Sequence, residues 1–63
     1  MSYVWKIVAM DRAKNRFAEV DEGCADTQDE AELELYVHTT YWAVVHANKR
    51  WDFVGTVEQV SNH

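Results

Sequence analysis

From Tyr3 to Met10 the chain alternates. Tyr3, Trp5, Ile7 and Ala9 fall on one side of an extended backbone, and Val4, Lys6, Val8 and Met10 on the other. β-Branched and aromatic residues at period two predict a strand. The polar run from Asp11 to Asn15 has turn formers at both ends, and Arg16 to Val20 resumes the extended pattern, so the first third of the chain reads as a β-hairpin. The Asp21–Asp26 stretch, with Cys24 between Gly23 and Ala25, reads as a loop.

Thr27 followed by Glu30 is a capping-box pattern. The Thr hydroxyl can accept from the third amide, while the Glu carboxylate reaches back to the amide of the cap residue. Asp29, Glu30, Glu32 and Glu34 then crowd the first turns, and His46, Lys49 and Arg50 fall near the far end, as the helix dipole favours. Asn48 fits a left-handed terminating residue. These signals predict one helix from about Gln28 to Ala47. A competing reading stays open for residues 38–47: Leu33, Leu35, Val37, Thr39, Tyr41, Ala43, Val45 and Ala47 also alternate, and several neighbours are β-branched, so the second half of this segment also suits a strand. Trp51, Phe53 and Val57 alternate through Val60 and predict a last strand. The expected architecture is α+β, in the order ββαβ: a three-stranded antiparallel sheet packed on one helix, forming a single domain over residues 1–63.

Projected at 100° per residue, the helix carries two apolar stripes. Leu33, Tyr36, Val37, Thr40, Tyr41, Val44 and Ala47 form the broader one, which is assigned to the core. Ala31, Leu35, Trp42 and Val45, with His38 among them, fall on the opposite side, and a three-stranded sheet covers only one side of a helix. The second stripe is therefore expected to face solvent or a partner, with Trp42 as its anchor. The outer face of the sheet reads as half apolar, with Val4, Val8, Phe17 and Val54 beside Lys6, Glu19 and Thr56.

Composition narrows the function. Sixty-three residues leave no room for a second domain, and one cysteine excludes an internal disulfide; a dense aromatic core is then the source of stability. The formal charge of −5, from eleven acids and six bases, disfavours direct nucleic-acid binding, which needs a basic footprint. It favours instead a protein partner with a basic surface, and such surfaces commonly hold nucleic acid. The N-terminal MSYVWKIVAM is too short for a signal sequence, and no run approaches a membrane span, so a cytoplasmic location is expected.

Chemistry finds little to work with. Cys24 stands just before the helix, where the dipole can activate a thiol, but a small loop residue explains it as well. His38 and His46 are eight residues apart, about 80° out of register on a helix, and neither has a ligand three or four residues away. Gly-rich phosphate cradles are absent. No catalytic residue, cofactor or metal is therefore expected. The acids are more distinctive: Asp21, Glu22, Asp26, Asp29, Glu30, Glu32 and Glu34 place seven of the eleven within fourteen residues. Capping and solubility account for acids at a helix start. An electronegative patch that docks on a basic groove accounts for the cluster.

The run ADTQDEA, Ala25 to Ala31, continuing from Glu32 to Tyr36, resembles the loop-into-helix segment of the small acidic bacteriophage inhibitors of host RNA polymerase. In that family a β-hairpin, a helix and a last strand form the whole protein. The likeness covers about a fifth of the chain. This sequence departs from the family in its longer helix and in the apolar, aromatic segment from Tyr41 to Trp51. The resemblance implies a protein-binding inhibitor acting in a host cytoplasm. The resulting expectation is a non-enzymatic inhibitor or adaptor that occludes a basic site on a nucleic-acid enzyme. Asp26, Asp29, Glu30 and Glu34 would supply charge, and Leu35, His38, Trp42 and Val45 the anchor. The alternative is self-association, as a homodimer or larger assembly, through the exposed apolar stripes.

Overall fold

The computed structural model describes residues 2–47 and 51–60. The hairpin strands β1 (Ser2–Asp11) and β2 (Arg16–Ala25) are followed by the helix α1 (Gln28–Val45) and by β3 (Trp51–Val60). They form one antiparallel sheet in the order β2-β1-β3, so the ββαβ expectation holds and residues 38–45 are helix, not strand. The shortest dimension, 11 Å between Cα extremes, leaves room for one helix layer on one sheet layer and nothing more.

Local chemistry explains the hairpin. The Asp11 carboxylate accepts from the amides of Ala13 (3.0 Å) and Lys14 (3.4 Å), and Asn15 takes the left-handed conformation at φ 53° that Asn tolerates better than most residues. Beyond the turn, β2 runs longer than the sequence pattern suggests. The stretch from Asp21 to Ala25 is strand, because β1 offers ten residues to pair with and Tyr3 to Ile7 take Ala25 to Asp21 as partners. The register shifts between Ile7 and Val8, whose partners are Asp21 and Glu19. This bulge leaves Val20 as the extra residue and turns both Val20 and Asp21 toward the helix, breaking the period-two pattern there.

Thr27 caps α1: its hydroxyl accepts from the Glu30 amide (3.2 Å) and its carbonyl from the Ala31 amide (3.0 Å). The helix closes at His46, whose amide donates to the Trp42 carbonyl, two residues before the expected end. The expected terminator Asn48 and the basic pair Lys49 and Arg50 lie outside the described residues.

The core is small. Trp5, Ile7, Ala25 and Ala31 form its buried centre, with Tyr3, Val20, Leu35, Trp42, Phe53 and Val57 packed around them. Two glycines make room for it. An added Cβ on Gly23 would sit inside the Trp5 indole, and one on Gly55 would stand 2.5 Å from Leu35 Cδ1.

The helix is rotated half a turn from the expected orientation. Ala31, Leu35, His38 and Trp42 face the sheet, whereas Leu33, Tyr36, Val37, Tyr41 and Val44 are more than half exposed. Trp5 fills the inner face of the sheet, and the helix meets it with the small Ala31 in the same buried cluster, the His38 ring and the Glu34 carboxylate; two tyrosines in their place would overpack it. On the opposite face of the sheet the register aligns Val8 with Val54 and Met10 with Phe17, beside a Lys6–Glu19 ion pair at 3.6 Å.

Gly55→Val should destabilise the fold by about 1–3 kcal/mol through overpacking. Leu35→Ala should be less harmful in that background than alone, a coupling that urea-unfolding double-mutant cycles would register.

Candidate functional site

The interface between α1 and the hairpin is held by a polar seam built on the bulge. Asp21 Oδ2 accepts from Trp42 Nε1 at 3.0 Å and lies 3.0 Å from His38 Nδ1, while Oδ1 accepts from the Glu22 amide at 2.9 Å. One turn along the helix toward its start, Trp5 Nε1 donates to Glu34 Oε1 at 3.1 Å. The His38 ring tilts against the Trp5 indole with centroids 4.6 Å apart. Each indole N–H that packing takes from water thus meets a carboxylate from the facing element, and a paired polar group stabilises where an unpaired one would cost about 1–3 kcal/mol. The Trp42 hydrogen bond is the largest influence on the Asp21 carboxyl, followed by opposing partial burial and then the His38 contact. The net effect holds the carboxyl below the ordinary aspartate range.

This seam uses residues that the sequence assigned to a partner. Leu35, His38 and Trp42, expected as anchors, and Glu34, expected as a steering charge, are half-buried against the sheet, where they pack or bond with Trp5, Asp21 and the core. Val45 remains outward, 53% exposed. Asp26, Asp29 and Glu30 are exposed around the helix start. They share that end with Glu32, whose carboxylate accepts from Gln28 Nε2 at 2.8 Å. The acid cluster therefore divides: Asp21 and Glu34 hold the fold together, and the others face solvent.

The residues that the sequence reading placed in the core, Leu33, Tyr36, Val37, Thr40, Tyr41 and Val44, with Ala47 just past the helix, are all exposed. They cover the side of α1 away from the sheet. A groove of about 360 Å³ runs beside them, between Val37 and Tyr41 on one wall and Asp21, His38 and Trp42 on the other. The sequence held one signal for this orientation, the small residue Ala31 in the stripe that carries Trp42, because a sheet bearing Trp5 needs a small side chain opposite it.

Further along, Trp42 stacks on His46 (5.1 Å, 16°), and both approach Phe53 at about 6 Å. Beneath them a cavity of about 230 Å³ is lined by Ala9, Val20, Trp42, His46, Trp51 and Phe53, and an adjoining hollow of about 370 Å³ includes Arg12, Thr39 and Ala47.

Cys24 is exposed and lies in β2 opposite Val4, in a strand and not in a loop before the helix. Its side of the sheet is the one turned away from His38, so the thiol and the imidazole cannot act together. Among the described residues no three His, Cys, Asp or Glu side chains converge as metal ligands, and no helix is long and apolar enough to cross a membrane. Comparison with protein-family models, curated proteins and solved structures gives no match.

A group whose carboxyl is held below its unfolded value stabilises the fold above that value and ceases to do so as pH falls through the folded one. Thermal stability should therefore drop as pH is lowered beneath about 4. Asp21→Ala should cost about 1–2 kcal/mol at neutral pH, by leaving the Trp42 indole N–H unpaired, and should flatten that acid dependence. Melting curves of the two proteins between pH 7 and pH 2 test both effects.

Proposed function

We propose that this protein is a non-enzymatic binding domain, an inhibitor or adaptor, that docks the outward face of α1 on a protein with a basic, nucleic-acid-binding surface and occludes it. The observation that carries the reading is the arrangement on one helix. Leu33, Tyr36, Val37, Tyr41 and Val44 expose apolar surface along its length, and Asp29 and Glu30 stand exposed on its first turn, close to Asp26. An apolar face with charge at one end suits a protein interface, in which the aromatic anchors supply affinity and the charges supply steering. A net charge of −5 adds long-range attraction to a basic partner.

The chemistry of the remaining residues supports binding over catalysis. Asp21 and His38 are engaged with Trp42 and Trp5, and Cys24 is on the other face of the sheet. Tyrosines and valines that are 53–71% exposed along one helix face form the kind of contiguous apolar patch that marks an interaction site.

The test is capture on the immobilised domain from a nuclease-treated bacterial lysate, washed at about 0.1 M and then about 0.5 M salt, a range over which exposed charges become heavily screened. A nucleic-acid enzyme should bind at the lower salt, elute at the higher, and lose activity when the domain is added. Tyr41→Ala should weaken that binding by roughly thirtyfold, as expected for an anchor worth about 2 kcal/mol. Asp29→Lys with Glu30→Lys should slow association while leaving the fold intact. An enzyme that binds both variants as tightly as the parent would overturn the reading.

A further inference from the structure

The same helix carries a second message in the spacing of its exposed residues. Leu33, Val37, Thr40 and Val44 follow one another at intervals of four, three and four, the 3.5-residue repeat that keeps one seam of a helix facing another helix. All four are exposed, and Tyr36 and Tyr41 flank the seam, about 70° to either side at 100° per residue. This seam lies almost opposite the face that packs on the sheet. A helix apolar on both sides belongs between two layers, and this molecule supplies only one.

Charge along α1 selects the occupant. Its acids, Asp29, Glu30, Glu32 and Glu34, all fall in the first seven residues, and from Leu35 to its end the helix has none. The helix C-terminus lies beside Arg12 of the β1–β2 turn, which pairs with Asp52 at 3.3 Å; that turn also carries Lys14. A parallel neighbour of the same kind would set four acids against four. An antiparallel neighbour sets the acidic half against the half without acids, and opposes the two helix dipoles favourably.

We infer that the free protein is a homodimer in which two copies pair their α1 helices antiparallel across the Leu33–Val37–Thr40–Val44 seam. The seam is symmetric about its midpoint, so a two-fold axis there places Leu33 against Val44 of the second copy and Val37 against Thr40, as an isologous interface requires. The exposed surfaces of Leu33, Val37 and Val44, with those of Tyr36 and Tyr41 flanking the seam (70% and 59% exposed), contribute toward the roughly 800 Å² per partner of a stable interface. The dimer also answers the small core. Among the described residues only Trp5, Ile7, Ala9, Ala25 and Ala31 are buried apolar side chains, and chains below about 70–80 residues commonly add association to such a core. The inference does not depend on a basic partner, although it uses the face proposed to bind one, so dimer and complex would exclude each other.

The experiment is sedimentation equilibrium of the purified chain, alone, from micromolar to millimolar concentration. The expected mass is twice the 7.4 kDa of one chain. Leu33→Glu should weaken the dimer by roughly thirtyfold or more, the effect of a lost central anchor. Leu33 is mostly solvent-exposed in the single chain, so the variant should keep the parent's circular dichroism. Adding Val44→Lys to that variant should restore the dimer, because antiparallel pairing brings the new Glu and Lys together; parallel pairing would not. Phe17→Glu, on the outer face of the sheet, should leave the mass unchanged. A monomer at every concentration, a dimer broken by Phe17→Glu but not by Leu33→Glu, or a double variant that stays monomeric would each overturn the antiparallel dimer. Because no partner protein is present, these outcomes are separate from failure of the docking reading.

Discussion

The accommodation of one side chain, the Trp5 indole, sets the arrangement of everything around it. It lies on the central strand, only 2% exposed, across a glycine on β2, beneath an alanine on α1 and within hydrogen-bonding distance of Glu34. Gly23 allows the ring to lie flat on the neighbouring strand, and Ala31 allows the helix to approach. Glu34 receives the N–H that burial would otherwise strand. Together these contacts fix the rotation of α1 about its axis. Leu35, His38 and Trp42 turn inward as a result, and Leu33, Val37, Tyr41 and Val44 turn outward. The exposed face is thus a consequence of how a tryptophan is packed.

The bulge in β2 completes the arrangement. A regular strand would send Val20 and Asp21 to opposite faces; the extra residue brings both to the helix side, where Val20 fills the core edge and Asp21 joins Trp42 and His38. One irregularity therefore converts a residue of an acidic run into a tether between hairpin and helix. The acids left outside, Asp26, Asp29 and Glu30 among them, face solvent, and their place around the helix start is where the dipole favours them. One acidic cluster thus holds both fold-building and solvent-facing members.

Such a molecule buries little and exposes much. A single helix cannot cover both its own far side and the outer face of a three-stranded sheet, so apolar surface remains on both. The proposed pairing through α1 and the proposed docking on a larger protein would each cover part of that surface, and both draw on the same face. The outer sheet face, with Phe17 and Met10 aligned, adds to the surface left in water.

Local rules reached the element order except at residues 38–47, where helix and strand readings stayed open. Period-two alternation marked β1 and β3, the Asp11 to Asn15 turn marked the hairpin, and Thr27 with its acidic first turn marked the helix start, because each depends on neighbours in sequence. The same rules could not choose between two apolar stripes on α1, since periodicity measures only that a face is apolar and both faces are. Nor could they see β2 continuing through Cys24, because strand length depends on what the paired strand offers. Tertiary structure made those choices. Trp5 meets Gly23 and Ala31, and Asp21 meets Trp42, across separations of eighteen or more residues in the chain, and it is the volume and hydrogen-bonding needs of those distant partners that decide which side of the helix is core and which is left for another molecule.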